Sequence, residues 1–105
     1  MINKEIIMER LKEVDNKLRI LAMLGQTSLK EFIRDEKSCM SAERGLEVSI
    51  QCLLDIAHHL IAQNSWDRAK DNKDAIVTLA QHSVIPEDFA KKIMPMAGLR
   101  NLLVH

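Results

Sequence analysis

One stretch near the middle of the chain constrains the fold more than any other, because residues 37–63 read as a single long helix. Its apolar residues recur at helical spacing in two stripes on different sides. The broad stripe contains Leu46, Ile50, Leu53, Leu54, Ala57, Leu60 and Ile61, the second contains Val48, Cys52 and Ile56, and the polar side carries Arg44, Glu47, Gln51, Asp55 and His58. A helix that is apolar on two sides must be covered on both, here by another helix of the bundle or by a second subunit.

The remaining elements also read as helices. Apolar periodicity predicts a first helix over residues 3–24, with a seam of Ile7, Leu11, Val14, Leu18 and Leu21. A capping-box sequence at residues 28–31 predicts a short second helix to about residue 35. A polar loop at residues 64–72 precedes a short helix at 73–82, and Pro86 opens the last helix. Pro95 is expected to kink or break that last helix.

Composition favours one small all-α domain. Hydrophobic residues make up 47% of the 105 residues but aromatic residues only 3%, so the core must be mostly aliphatic. Three glycines and two prolines leave few places to turn, which predicts few and long elements. We therefore expect residues 1–105 to form a single small up-and-down bundle of four to five helices.

Charge and cysteine content exclude several classes of protein. Fifteen basic residues balance fifteen acidic ones, so the chain does not coat nucleic acid by bulk electrostatics, although a local basic site remains open to it. The N-terminus lacks the apolar run of a signal peptide, and no window approaches a membrane span. We therefore expect a cytoplasmic protein without membrane contact, in which Cys39 and Cys52 are reduced and packed.

The C-terminal segment carries the one pattern suited to chemistry, Arg100 followed five residues later by His105. Arginine is a permanent cation whose planar donors suit phosphate, and histidine accepts and donates protons near neutral pH. On a straight helix the two point about 140° apart, whereas Asn101 and His105 share a face. Met96, Leu99 and Leu103 are expected to pack that helix, with the polar side chains aimed away. The alternative is a solvated helix end with Arg100 as a terminal cation.

No cofactor or metal site is predicted from the histidines. His58 and His59 are adjacent, so on a helix their side chains diverge by about 100° and do not chelate one ion. We interpret them as histidines of a helix surface or an interface. Lys91, Lys92 and Arg100 form a small basic group, which is typical of an ordinary solvated face. The alternative is a track for phosphates that leads to the cleft, which the lack of nearby aromatic residues disfavours.

Residues 42–105 resemble the HepT-like family, small all-helical toxins of the HEPN superfamily that are encoded beside a minimal nucleotidyltransferase antitoxin. The resemblance is most specific over Leu46 to Ala62 and over Met96 to His105. It implies a metal-independent endoribonuclease toxin and a homodimer in which two R-x4-H motifs face one cleft. His105 would be the general acid or base, Arg100 would stabilise charge on the scissile phosphate of RNA, and Asn101 would support one of them.

Two further expectations come with this resemblance. The family usually continues with a tyrosine two residues after the histidine, the residue that the antitoxin adenylylates, whereas this sequence ends at His105 and contains no tyrosine. We therefore expect the native product to continue beyond His105. The alternative function is a non-catalytic helical binding partner or substrate of the nucleotidyltransferase. For the homodimer, we expect an interface on the long helix and the motif helix, where the second stripe needs cover.

Overall fold

The described chain is all-α. The structure, a computed structural model, describes residues 2–104, with side chains through residue 103. Within these residues the helices are α1 (Lys4–Leu24), α2 (Leu29–Arg34), α3 (Glu36–Gln63), α4 (Asn72–Gln81) and α5 (Glu87–Val104), and there is no strand. The predicted all-α fold of four to five helices is confirmed. No helix in this part of the chain is long and apolar enough to cross a membrane.

Short polar side chains fix where four of the helices begin. Asn3 accepts hydrogen bonds from the backbone N–H groups of Glu5 and Ile6, and Ser28 accepts one from Glu31. Asp35 and Asp71 do the same at the starts of α3 and α4. These caps satisfy N–H groups that have no partner within the helix, and they explain why the predicted helix starts lie close to the observed ones.

The core forms where α4 and α5 pack against the C-terminal half of α3. One cluster joins residues of all three helices: Ile50, Leu54, Ile76, Ala90 and Ala97. A second cluster joins α3 and α4 further along: Ala57, Ile61, Ala75 and Leu79. The α3 members of both clusters belong to the broad stripe predicted from the sequence. These four residues of the broad stripe are therefore covered within the chain.

Part of the second apolar stripe of α3 is covered by α1. Cys52 is only 8% exposed, as is Val14 on α1. Gly45 allows the close approach of the two helices, because a Cβ atom there would lie 3.3 Å from Leu21 Cδ2. At Cys52 the cover is therefore another helix of the bundle, which is one of the two alternatives given above, and a second subunit is not needed there. The predicted seam of α1 is only partly buried, with Leu18 52% exposed.

An apolar groove remains open along α3, between α1 and α5. It has a volume of about 250 Å³ and is lined by residues that include Leu11, Leu53, Leu60, Phe89, Ile93 and Met96. Leu46 and Leu53 of the broad stripe are each 37% exposed. The groove therefore exposes part of the broad stripe, and Ile56 of the second stripe also lines it. We refer to this feature as the apolar groove.

The last helix continues through Pro95, so of the predicted kink or break the break is wrong, and a kink there stays a prediction. Proline cannot donate a hydrogen bond to the carbonyl four residues earlier, which weakens a helix interior. Here the flanking residues Met94, Met96 and Ala97 all belong to or pack against the core cluster, while Pro95 is exposed. Packing on both sides of the proline holds α5 in one piece.

Candidate functional site

The two described residues of the predicted motif lie in the last turns of α5 and face different surroundings. Arg100 is half-buried and contacts α3, whereas Asn101 is exposed and faces the start of α4. His105 lies outside the described residues. The structure therefore places Arg100 and Asn101 in the fold, and the position of the histidine stays a prediction.

A chain of polar contacts connects Arg100 to α1. Arg100 Nε donates a hydrogen bond of 2.7 Å to Gln51 Oε1, and Gln51 Nε2 donates one of 2.8 Å to Asp55 Oδ1. Asp55 Oδ2 lies 3.5 Å from Arg10 Nε, in an ion pair whose side chains are each 42% exposed. We refer to Arg100, Gln51, Asp55 and Arg10 as the polar chain. The sequence-based expectation that Arg100 is aimed away from the packing was therefore wrong.

Gln51 is the residue of this site that the sequence did not single out. It lies on the polar side of α3 with Asp55, and such a stripe is usually a solvated face. The available signal was an amide and a carboxylate one turn apart on the central helix, a pair that can hydrogen-bond along a helix. Nothing local indicated that α5 would bring a guanidinium to them from 49 residues away.

A polar pocket lies beside Asn101. It has a volume of about 420 Å³ and lies between the start of α4 and the C-terminal part of α5. Its lining residues are Asp71, Asn72, Lys73, Ala97 and Asn101. Asn72 is held from α3 by a 3.0 Å hydrogen bond between its Oδ1 atom and His58 Nε2. Two amides and an ammonium group can donate hydrogen bonds to sugar or base oxygens here, whereas the carboxylate of Asp71 in the same lining opposes a phosphate group.

The other described histidines have structural contacts. His59 Nε2 accepts a 3.1 Å hydrogen bond from the Asn3 backbone N–H, which ties the start of α1 to α3. The His82 ring stacks on Trp66 with the ring centroids 3.7 Å apart. In residues 2–103 no three His, Cys, Asp or Glu side chains are grouped so that they could hold a metal ion.

Packing near the motif differs from the prediction at one residue. Met96 and Leu103 are half-buried and pack against the core cluster, as expected. Leu99 is instead 39% exposed, and the neighbouring Leu102 is 77% exposed. Two large apolar side chains therefore face solvent next to Arg100 and Asn101 in the sequence. Such exposed apolar area is a common property of surfaces that another molecule covers.

Comparison with known proteins places the chain in a family. A family model described as Ribonuclease HepT-like matches residues 11–105. The chain is 29% identical over 104 residues to the tRNA nuclease HepT of Aphanizomenon flos-aquae, which covers 99% of this chain and 71% of that protein. It is 27% identical over 81 residues to the mRNA nuclease HepT of Shewanella oneidensis, covering 77% of this chain and 58% of that protein.

Solved structures share the fold. A toxin–antitoxin crystallised with AMP-PNP matches with a TM-score of 0.89 at 23% identity, over 96% of this chain and 76% of that chain. A tri-AMPylated Shewanella oneidensis HEPN toxin in complex with an MNT antitoxin matches with a TM-score of 0.86 at 25% identity, over 95% and 74% of the two chains. At these identities the likeness supports the helical architecture described above. The family match extends over α2 to α5 and most of α1, and the resemblance stated from the sequence is confirmed: the chain belongs to the HepT-like ribonuclease family.

Proposed function

We propose that this chain is an endoribonuclease toxin that cleaves RNA without a metal ion in the cytoplasm. Its site would comprise Arg100, Asn101 and His105. The observation that carries the proposal is the hydrogen bond that Arg100 donates through Nε to Gln51, while among the described side chains of residues 2–103 no hydrogen bond engages its two terminal amino groups. A guanidinium that is hydrogen-bonded through Nε can still offer its two terminal amino groups as paired donors, a geometry that suits a phosphate group.

The chemistry follows from these groups. His105 would take the proton from a ribose 2′-hydroxyl, and the 2′-oxygen would then attack the adjacent phosphorus. The bond from phosphorus to the 5′-oxygen breaks, and the protonated His105 returns its proton to that leaving oxygen, so the products carry a 2′,3′-cyclic phosphate and a 5′-hydroxyl. Arg100 would stabilise the negative charge that develops on the phosphate oxygens. DNA has no 2′-hydroxyl, so it is not a substrate of this chemistry.

We further propose that the active form is a symmetric homodimer. The apolar groove and the exposed leucines of α5 supply apolar area on one chain that a second copy would cover. Leu99 and Leu102 are the sequence neighbours of Arg100 and Asn101, so an interface on them brings a partner close to the motif. A contact with twofold symmetry uses the same patch on both subunits and places two motifs in one cleft.

The proposed protein partner is a minimal nucleotidyltransferase antitoxin. The Shewanella oneidensis HEPN toxin of the same fold was solved in complex with an MNT antitoxin, in a tri-AMPylated form. By this analogy the antitoxin would inactivate the present protein by attaching AMP to it covalently. The alternative function, a non-catalytic partner or substrate of such an enzyme, is tested by the same experiment as the nuclease activity.

The test compares the native gene product with its Arg100→Ala and His105→Ala variants. We expect expression of the native protein to stop growth and degrade RNA, and both variants to be harmless. Purified protein should cut RNA, but not DNA of the same sequence, in the presence of EDTA. Cleavage by the His105→Ala protein would contradict the proposed site. A folded native protein that binds its nucleotidyltransferase and leaves RNA intact would favour the alternative function.

A further inference from the structure

We propose that Gln51 is a positioning residue for Arg100. Its amide group holds the arginine in place and, being neutral, does not offset the positive charge that attracts phosphate. The inference rests on the proposed function and assigns a role to a residue of α3. Gln51 is half-buried and contacts Arg100 at 2.7 Å, so it does not need to touch the RNA. Its effect would be transmitted entirely through the arginine side chain.

Chemistry at both ends of Gln51 determines which way its amide group points. An ionised carboxylate only accepts hydrogen bonds, so Asp55 requires the NH₂ group of the amide. A guanidinium only donates, so Arg100 requires the amide oxygen. The two demands agree, and a rotated amide would place donor against donor and acceptor against acceptor. Asp55 therefore fixes Gln51, and Gln51 in turn fixes the Nε side of Arg100.

The position of the charges in the polar chain also matters. The carboxylate of Asp55 is paired with Arg10 at 3.5 Å and not with Arg100. Arg100 is instead held by a neutral group, which aligns the guanidinium without cancelling its positive charge. A carboxylate in place of the amide would also hold the arginine, but it would reduce the attraction for phosphate. The polar chain therefore fixes the position of Arg100 without placing a negative charge against it.

The polar chain also gives α1 a part in the site. Arg10 lies on α1, which otherwise covers part of the second stripe of α3. Arg10 pairs with the charge of Asp55, and Asp55 orients Gln51. The position of α1 therefore affects Arg100 through two intervening side chains. An arginine on a long flexible side chain has many alternative positions, and a misplacement of about 1 Å can cost about 100-fold in rate.

The test uses four variants of the native gene product. Gln51→Met keeps length and helix propensity but removes both the acceptor for Arg100 and the donor to Asp55. Gln51→Glu also loses the donor to Asp55 and places a second carboxylate beside it, but it keeps an acceptor for Arg100 and adds a negative charge. Gln81→Met is the matched control, because Gln81 is an exposed helix residue outside the site. Arg100→Lys identifies the Arg100 Nε–H signal in a ¹H–¹⁵N NMR spectrum by its loss. Each protein is also assayed for RNA cleavage over a range of substrate concentrations.

We expect a slowly exchanging Arg100 Nε–H signal in the native, Gln51→Glu and Gln81→Met proteins, and its loss in Gln51→Met. In cleavage, kcat of Gln51→Met should fall about 10-fold to 100-fold with a much smaller change in KM, since the arginine is still present but misplaced. Gln51→Glu should mainly raise KM, because the held cation is partly neutralised. The Gln81→Met protein should match the native one.

The two proposals fail in different ways. If native protein cleaves RNA and Gln51→Met cleaves equally well, or keeps the same Nε–H signal, the positioning role of Gln51 is wrong and the nuclease function stands. If the native protein does not cleave RNA but its Nε–H signal depends on Gln51, the hydrogen bond stands and the nuclease function is wrong. An equal KM for Gln51→Glu and native protein would contradict the role of the neutral amide.

Discussion

At the scale of single residues, Arg100 belongs to both the fold and the proposed site. Its hydrogen bond to the half-buried Gln51 means that Arg100→Ala removes a partner as well as a charge. We expect a loss of about 1 kcal/mol in the free energy of unfolding, larger than for an ordinary surface change. The same variant should have no RNA cleavage. Urea unfolding followed by circular dichroism checks the first effect, and unchanged stability would mean that the contact contributes nothing to the fold.

The two cysteines should differ in reactivity. Burial raises the pKa of the Cys52 thiol above its usual range, while the Cys39 thiol is half-buried and donates to the Phe32 carbonyl at 3.3 Å. Only the thiolate is nucleophilic, so at pH 8 a thiol reagent should label Cys39 first and Cys52 only when the fold opens. Mass spectrometry of partly labelled protein identifies the site, with Cys39→Ser as control. Fast labelling in the Cys39→Ser protein would contradict the burial of Cys52.

The raised pKa of Cys52 predicts that the free energy of unfolding decreases at alkaline pH. The folded state keeps Cys52 neutral, whereas the unfolded chain ionises it at the usual thiol pKa of about 8.5. The contribution of Cys52 to stability is therefore complete below that pH and is lost as the pH rises through the higher folded-state pKa. Replacing Cys52 with alanine should make the stability of the protein less sensitive to pH in this range.

At the scale of the elements, α3 stabilises the fold because α4 and α5 pack on it. Leu54 is only 1% exposed and belongs to the cluster that joins α3 to α4 and α5, whereas Leu29 on α2 is 74% exposed. Leu54→Ala should lower the free energy of unfolding by about 2–5 kcal/mol, through lost burial and a cavity. The matched change Leu29→Ala should stay within about 0.5 kcal/mol. Equal losses in thermal or urea unfolding would mean that the packing of α3 is not as described.

At the scale of the whole molecule, the exposed apolar residues predict self-association. The fold is elongated, and α1, α3 and α5 leave the apolar groove and the exposed leucines of α5 without cover. Light scattering at micromolar concentration should give twice the subunit mass. Leu102→Glu should give a single-subunit mass, because a charge would be buried at the interface. Lys73→Glu, a charge change in the polar pocket, should leave the mass doubled, and a native protein with a single-subunit mass would contradict the dimer.

The sequence by itself determined the helical class, the helix starts and the central place of α3. These features depend on neighbouring residues: apolar spacing defines a helix, and the capping sequence at Ser28 predicted the start of α2. The structure adds that Asn3, Asp35 and Asp71 cap three other helices in the same local way. The family was also evident from the sequence, because the segments from Leu46 to Ala62 and from Met96 to His105 are continuous along the chain. Information of this kind is local, and no packing is needed to obtain it.

Tertiary structure alone decided which surfaces meet. That α1 covers Cys52 and leaves Leu53 open depends on how two helices cross, which apolar spacing does not specify. Pro95 remains inside α5 because residues on both sides of it pack on the core, a gain that local propensity does not include. Gln51 meets Arg100 across 49 residues, so its polar neighbours on α3 alone could not reveal it. Contacts between distant segments depend on the relative placement of whole helices, and only the folded chain defines that placement.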